Sequence, residues 1–304
     1  MHRRSVLKTI VSASVGAGLL NNASAPVPAL SNASQLSFIE TRDHVGLFYK
    51  EWGEGKPVIF VHGWALNSDM WQYQMIHLAG EGLRCVAYDQ RGHGRSADPG
   101  RGYDFNTLAD DLHSLIMRLN VRKAVLVGHS MAAGVIARYL TRHGASRIAR
   151  VAMLATTTPF LLKTADNLEG VDQRYLDRLR VAWSKDFPKW LADNARPFFA
   201  PQTSPEMMQW GIQMCLEASL KAVLDCNRAI TETDFRAELR NLAVPTLIIH
   251  GDADVSAPLF LTGQKTAQLI SGSQLKIYQG APHGLFITHR DRLNQDLVNF
   301  IKAD

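Results

Sequence analysis

Short apolar runs alternate along the chain with longer segments in which apolar residues recur at intervals of three and four. Two early segments, residues 36–41 and 46–51, suit an antiparallel pair at the edge of a sheet. Later runs are almost continuously hydrophobic, which is typical of parallel strands buried on both faces. Six such runs occupy residues 58–62, 83–88, 124–128, 151–155, 246–250 and 275–278.

The segments between these runs have helical spacing. Apolar side chains within residues 105–119 and 293–301 fall on one face of an amphipathic helix. Repetition of strand, helix and strand predicts an α/β fold, with a doubly wound, mostly parallel sheet of eight strands covered on both faces. We expect residues 36–155 and 243–304 to form this core.

The alternation stops between residues 156 and 242. This stretch contains five prolines and three of the six tryptophans, and its apolar pattern is helical without a good strand. Ordinary connections between elements are rarely this long. We therefore predict a helical cap inserted after one core strand, with a set of long connections as the alternative.

Composition and charge narrow the class of protein. Hydrophobic residues make up 46% and charged residues 20% of the 304 positions, which favours a folded core over a disordered chain. The formal net charge is +5, and it falls to +2 when Arg3, Arg4 and Lys8 are left out. No dense basic block follows these three residues. Nucleic acid is therefore not an expected partner. No apolar run reaches the length of about 18 residues that a stable membrane span needs.

The first 25 residues have the features of an export signal. Paired arginines, a hydrophobic residue and a lysine resemble a twin-arginine signal, and a mildly apolar stretch follows over residues 9–20. Residues 23–25 form an A-x-A cleavage motif, with cleavage near Ala29 or Ala33, or no cleavage, as alternatives. This pattern predicts an exported protein, periplasmic or secreted.

A serine stands where the run 124–128 meets a helical segment. Ser130 lies two residues after Gly128 and two before Ala132. A serine at such a place sits on a sharp, strained turn above the sheet, and small flanking residues let strand and helix approach closely. We interpret Ser130 as a nucleophile, although glycine is usual at the position of Ala132. An ordinary helix N-cap is the alternative.

A serine hydroxyl needs a base and an orienting carboxylate before it attacks. His283 lies in a Pro-His-Gly loop after the last strand and is the candidate base. Asp252 and Asp254 both follow the preceding strand. Asp254 is favoured because the chain needs two or three residues past the turn glycine to return over the sheet, and Asp252 is the alternative. We predict Ser130, Asp254 and His283 as the catalytic residues.

A tetrahedral oxyanion needs two backbone N–H donors. Met131 follows the serine directly, and Trp64 follows Gly63 at the end of the first parallel strand, so their N–H groups are the predicted donors. Their side chains are expected to bind substrate in an acyl pocket, with packing alone as the alternative. His62 is expected to brace this loop. No residue cluster has metal-ligand spacing and no phosphate-binding glycine motif occurs, so neither metal nor cofactor is expected.

Several motifs together resemble one family. The sequence is similar to the bacterial aryl esterases and cofactor-free (non-heme) chloroperoxidases of the α/β-hydrolase superfamily, over about residues 36–301. The similar segments are 61–64, 70–75, 128–131, 162–167, 231–235, 251–254, 281–284 and 288–289.

The resemblance implies an α/β-hydrolase fold and hydrolysis of small carboxylic esters through an acyl-serine. It also implies a second reaction that is common in this family. Hydrogen peroxide replaces water in the attack on the acyl-serine and gives a peracid, which oxidises halide outside the site. Lactonase and carbon–carbon bond hydrolase are alternatives with the same three side chains. A non-catalytic ligand-binding protein on the same fold is the alternative from another class.

Overall fold

The computed structural model describes residues 37–303, so the predicted export signal over residues 1–25 lies outside the described residues. Within that range eight strands form one sheet. They are β1 Ser37–Glu40, β2 Gly46–Trp52, β3 Lys56–Val61, β4 Leu83–Tyr88, β5 Ala124–His129, β6 Ile148–Leu154, β7 Thr246–Gly251 and β8 Gln274–Tyr278.

The strand order is β1-β2-β4-β3-β5-β6-β7-β8. β1 and β2 pair antiparallel at one edge, and β2 pairs antiparallel with β4. Every other pair in the sheet is parallel. This confirms the predicted doubly wound, mostly parallel sheet. β6 begins at Ile148, three residues before the apolar run 151–155 that predicted it. Ladder hydrogen bonds to β5 extend the strand over these three residues, although its faces are not fully covered there.

Ten α-helices lie within residues 37–303. α2 and α3 pack on one face of the sheet, and α1 and α10 pack on the other. None of the helices in this part of the chain is both long and apolar enough to cross a bilayer. The bounds are α1 Gln72–Gly80, α2 Phe105–Arg118, α3 Ala132–His143, α4 Gln173–Asn194, α5 Pro205–Leu216, α6 Leu220–Glu232, α7 Arg236–Arg240, α8 Gly263–Leu269, α9 Leu285–Thr288 and α10 Arg290–Lys302.

Residues 156–242, which we call the helical insertion, join β6 to β7 and contain α4 to α7. α4 bends at Asp186, where φ is −162°, because Pro188 lacks an N–H and its ring crowds the preceding turn. Trp183 and Phe187 of α4 are buried in a cluster with Ala65, which follows β3. The insertion therefore packs on the carboxyl edge of the sheet.

Candidate active site

Ser130 lies in the turn between β5 and α3. Its φ of +56° is in the left-handed region that residues with side chains rarely adopt, so the backbone is strained there. Its N–H donates to the Leu154 carbonyl at 2.8 Å, which anchors the turn to β6. A Cβ on Gly128 would lie 2.6 Å from Ile136 Cδ1 and 3.0 Å from Ala132 Cβ. The turn thus closes with alanine at position 132, provided that position 128 is glycine.

The structure brings Ser130, His283 and Asp254 together at the carboxyl edge of the sheet. His283 Nε2 lies 3.0 Å from Ser130 Oγ, and His283 Nδ1 lies 2.7 Å from Asp254 Oδ2. All three side chains are buried. In this arrangement the imidazole is placed to accept the hydroxyl proton at Nε2 while its Nδ1–H donates to the carboxylate.

Asp254 is held by contacts to both of its carboxylate oxygens. Oδ1 accepts the N–H groups of Ser256 at 2.9 Å and Ala257 at 2.8 Å, while Oδ2 faces His283 and, at 3.2 Å, His250 Nε2. Burial alone would raise the pKa of Asp254. The charge of His283 and the donors around the carboxylate outweigh burial and hold that pKa well below its usual range. Asp254 is therefore ionised at neutral pH.

Asp252 lies apart from the imidazole. Its Oδ1 accepts the Gly280 N–H at 2.6 Å, and its own N–H donates to the Tyr278 carbonyl at 3.2 Å. These contacts tie the loop after β7 to the loop that carries His283. Asp252 thus holds the two loops together, and the structure places Asp254 beside His283.

The predicted oxyanion donors are the N–H groups of Trp64, directly after Gly63, and Met131, directly after Ser130. Within residues 37–303 neither group donates to a protein acceptor. The chain passes close to Ser130 at Gly63, where a Cβ would lie 2.6 Å from His129 Nδ1 and 3.3 Å from Ser130 Cβ. Two N–H groups without an acceptor, one next in the chain to Ser130 and one next to Gly63, have the composition of an oxyanion-binding site.

His62 fixes the peptide that carries the Trp64 N–H. His62 Nδ1 donates to the Gly63 carbonyl at 2.8 Å, and its Nε2 accepts the Gln90 N–H at 2.8 Å. Burial, reinforced by neighbouring His93, lowers the pKa of His62 to about 3, so the ring is neutral. Because C=O and N–H point in opposite directions across a trans peptide, holding this carbonyl also orients the N–H.

His129 lies beneath the serine turn and is fully buried against Phe286. Its Nε2 donates to the His283 carbonyl at 3.0 Å, and the two rings are 4.7 Å apart. Burial, together with the charge of His283, lowers the pKa of His129 to about 3. A neutral imidazole therefore joins the serine turn to the histidine loop.

The helical insertion covers this edge with aromatic rings. The Trp64 ring lies 4.9 Å from the ring of Trp183, and its Nε1 donates to the Val223 carbonyl of α6 at 2.8 Å. The Phe198 ring lies 5.6 Å from the His283 imidazole. Ser130 is only 4% exposed beneath this cover.

Sequence reasoning missed two side chains that touch the site, Phe198 and His250. Phe198 belongs to the short 3-10 turn Arg196–Phe198, which has no apolar periodicity to mark it. His250 had a signal, because it is an ionisable residue that directly follows three apolar ones, residues 247–249, and lies four positions before Asp254.

The described residues at this edge of the sheet do not form a metal site. Over the described part of the chain, no three His, Cys, Asp or Glu side chains are arranged to hold an ion. Asp254 and His283 are engaged with each other and with Ser130.

Comparison with known proteins identifies the family to which the chain belongs. A profile of the alpha/beta hydrolase fold matches residues 56–207. The chain therefore belongs to the α/β hydrolase fold family, in the branch that holds the non-heme chloroperoxidases, as its motifs predicted. It is 37% identical over 268 residues to a non-heme chloroperoxidase of Kitasatospora aureofaciens, an alignment that covers 86% of this chain and 98% of that protein.

Two further relatives are similar over nearly their whole length. A bifunctional esterase/perhydrolase of Acinetobacter calcoaceticus is 36% identical, with 88% of this chain and 100% of that protein aligned. A crystal structure of a bromoperoxidase from Bacillus anthracis superposes with a TM-score of 0.85 at 34% identity, covering 88% of this chain and 100% of that chain. Fold and family are thus supported by sequence and structure alike.

Proposed function

We propose that the protein is a serine hydrolase that cleaves small carboxylic esters, aryl or alkyl, through an acyl-serine intermediate. The observation that carries the proposal is the continuous path from Ser130 Oγ to His283, 3.0 Å, and from His283 to Asp254, 2.7 Å. A hydroxyl, a base, an orienting carboxylate and two free N–H groups are the parts that acyl transfer requires.

In the first half-reaction, Ser130 Oγ attacks the ester carbonyl and its proton passes to His283 Nε2. The negative charge that develops on the carbonyl oxygen is stabilised by the N–H groups of Trp64 and Met131. Asp254 stabilises the imidazolium and keeps the ring in the correct tautomer. The C–O bond then breaks, and His283 returns the proton to the leaving alcohol.

In the second half-reaction, His283 removes a proton from water, which attacks the acyl group and releases the acid and free Ser130. Hydrogen peroxide in the place of water gives a peracid by the same steps. The esterase/perhydrolase relative supports this side activity. The peracid would then leave the site and oxidise halide in solution. In that step the peracid itself is reduced to the carboxylic acid.

Small acyl groups suit this site best. The serine is buried, and the rings of Trp64 and Phe198 lie beside the proposed oxyanion donor and the base. Rigid aromatic walls restrict the volume available to a growing acyl chain because core packing resists expansion. Acetyl and propionyl esters are therefore the proposed substrates.

A series of p-nitrophenyl esters from acetate to octanoate tests the proposal. We expect kcat/KM to be highest for acetate or propionate and to fall as the acyl chain lengthens, and a fluorophosphonate probe to label Ser130. Adding acetate, hydrogen peroxide and bromide should give halogenation of an organic acceptor. Lactone turnover without ester turnover would indicate the lactonase alternative, and absence of both labelling and turnover would indicate a binding protein.

We also propose that residues 1–25 direct export by the twin-arginine route and that the mature protein is periplasmic or secreted. The paired arginines and the A-x-A motif support this. Full-length protein expressed in a bacterium is expected to be found, shortened, outside the cytoplasm. Replacing Arg3 and Arg4 by lysine keeps the charge and should leave the full-length chain in the cytoplasm. Equal export of both forms would contradict the proposal.

A further inference from the structure

His250 is a buried imidazole beside the candidate active site that has no part in the steps above. It follows the apolar residues of β7, and its side chain has no exposed surface. Its Nε2 lies 2.8 Å from the Ala257 carbonyl oxygen and 3.2 Å from Asp254 Oδ2. His250 therefore contacts the carboxylate on the same oxygen that faces His283.

The surroundings of His250 determine which of its ring nitrogens donates. Both atoms that face Nε2 are acceptors, so Nε2 carries the proton. Nδ1 is buried without a hydrogen-bond partner among the described residues. A Cβ on Gly263 would lie 2.4 Å from Nδ1, which shows that the start of α8 packs closely against the ring. His250 is thus a donor whose direction is fixed by its surroundings.

This fixed donor constrains both oxygens of Asp254. The Ala257 N–H donates to Oδ1 at 2.8 Å, and the Ala257 carbonyl accepts from His250. His250 therefore fixes Oδ1 indirectly, through Ala257. The same Nε2–H borders Oδ2 directly. A carboxylate held at both oxygens cannot rotate away from His283 Nδ1.

We propose that His250 is a positioning residue for the hydrolase reaction, which acts by locking the Asp254 carboxylate onto His283. The inference rests on the proposed function. Because His250 lies behind Asp254 and contacts no reacting atom, its loss should lower kcat and leave the KM for small esters unchanged. Its removal should also loosen the hydrogen bond between His283 and Asp254.

A matched pair of variants separates this role from simple packing. In His250→Gln the amide nitrogen falls where the imidazole Nε2 was, whereas in His250→Asn the amide is one bond too short to reach the Ala257 carbonyl. We expect His250→Asn to lower kcat for p-nitrophenyl acetate by about 10- to 100-fold with little change in KM, because small misplacements of catalytic groups cost about this much. His250→Gln should stay within about threefold of the wild type.

Proton NMR gives a readout that does not depend on turnover. The low-field resonance of the proton between His283 Nδ1 and Asp254 should persist in His250→Gln and broaden or vanish in His250→Asn. Wild-type kcat and an intact resonance in His250→Asn, or equal losses in both variants, would overturn the proposal. His113→Asn, which removes a half-buried imidazole stacked on His143, serves as the control for general destabilisation.

Failure of this inference and failure of the proposed function are distinguishable. If the wild-type protein hydrolyses esters and the two variants match it, only the positioning role of His250 is wrong. If the wild type hydrolyses none and Ser130 is not labelled by the fluorophosphonate, the proposed function is wrong, and the NMR comparison still decides whether His250 positions Asp254.

Discussion

Replacing Ser130 by alanine is expected to lower kcat/KM for p-nitrophenyl acetate by about 10⁴- to 10⁶-fold, because the attacking oxygen is removed and the histidine has no proton to accept. The residual rate should reflect substrate binding and the two N–H donors alone. Initial rates measured with protein purified free of other esterases, and normalised to folded protein, give the ratio. Labelling by a fluorophosphonate should disappear in the same variant.

Ser114→Ala is the matched control for this substitution. Ser114 is a half-buried serine of α2 whose hydroxyl donates to the Asp110 carbonyl at 2.9 Å, in a helix that does not contribute to the site. Its loss should leave turnover within about twofold of the wild type, since a single helix-internal hydroxyl bond contributes little net free energy. If Ser130→Ala kept more than a tenth of the wild-type rate, the acyl-serine mechanism would be untenable.

The positions of Ser130, Asp254 and His283 could be predicted because each follows an apolar run, and the carboxyl ends of parallel strands meet at one edge of the sheet. The runs themselves were readable since parallel strands are buried on both faces and carry few polar residues. Strand ends were less predictable. Residues 148–150 belong to β6 through ladder hydrogen bonds, which leave no hydrophobic pattern.

The contacts that the helical insertion makes could not be predicted from the sequence. The Trp64 indole donates to the Val223 carbonyl, 159 positions along the chain, and a backbone acceptor has no residue type that identifies it. Phe198 reaches the His283 ring from a 3-10 turn without periodicity. Such pairs are set by how the insertion packs on the core, and the sequence records only that both partners are apolar or aromatic.

Asparagine in place of Asp254 is expected to lower kcat by about 10⁴-fold while KM for small esters changes little. An amide presents an N–H group where His283 Nδ1–H needs an acceptor, so the ring flips its tautomer or loses the bond. The neutral amide also cannot stabilise the imidazolium that forms when Ser130 gives up its proton. Turnover of p-nitrophenyl acetate at neutral pH measures the loss.

Asp252→Asn is the matched control, because that carboxylate contacts the Gly280 N–H on the outer side of the same loop. It should keep turnover within about threefold of the wild type, since an amide oxygen accepts the same hydrogen bond. A larger loss in Asp252→Asn than in Asp254→Asn would show that the wrong aspartate has been assigned as the partner of His283.

The same Asp254 variant should change how stability depends on pH. The pKa of Asp254 is lower in the folded protein than its value of about 3.9 in an unfolded chain, so the folded state binds fewer protons at this site. The stabilisation is complete above that unfolded value and is lost as pH falls below it. Urea unfolding should therefore show the largest difference in free energy of unfolding between wild type and Asp254→Asn at neutral pH, shrinking towards pH of about 2. If the difference stayed constant over this range, the pKa of Asp254 would not be lowered on folding. The contacts with His283 and the N–H donors would then not outweigh the effect of burial.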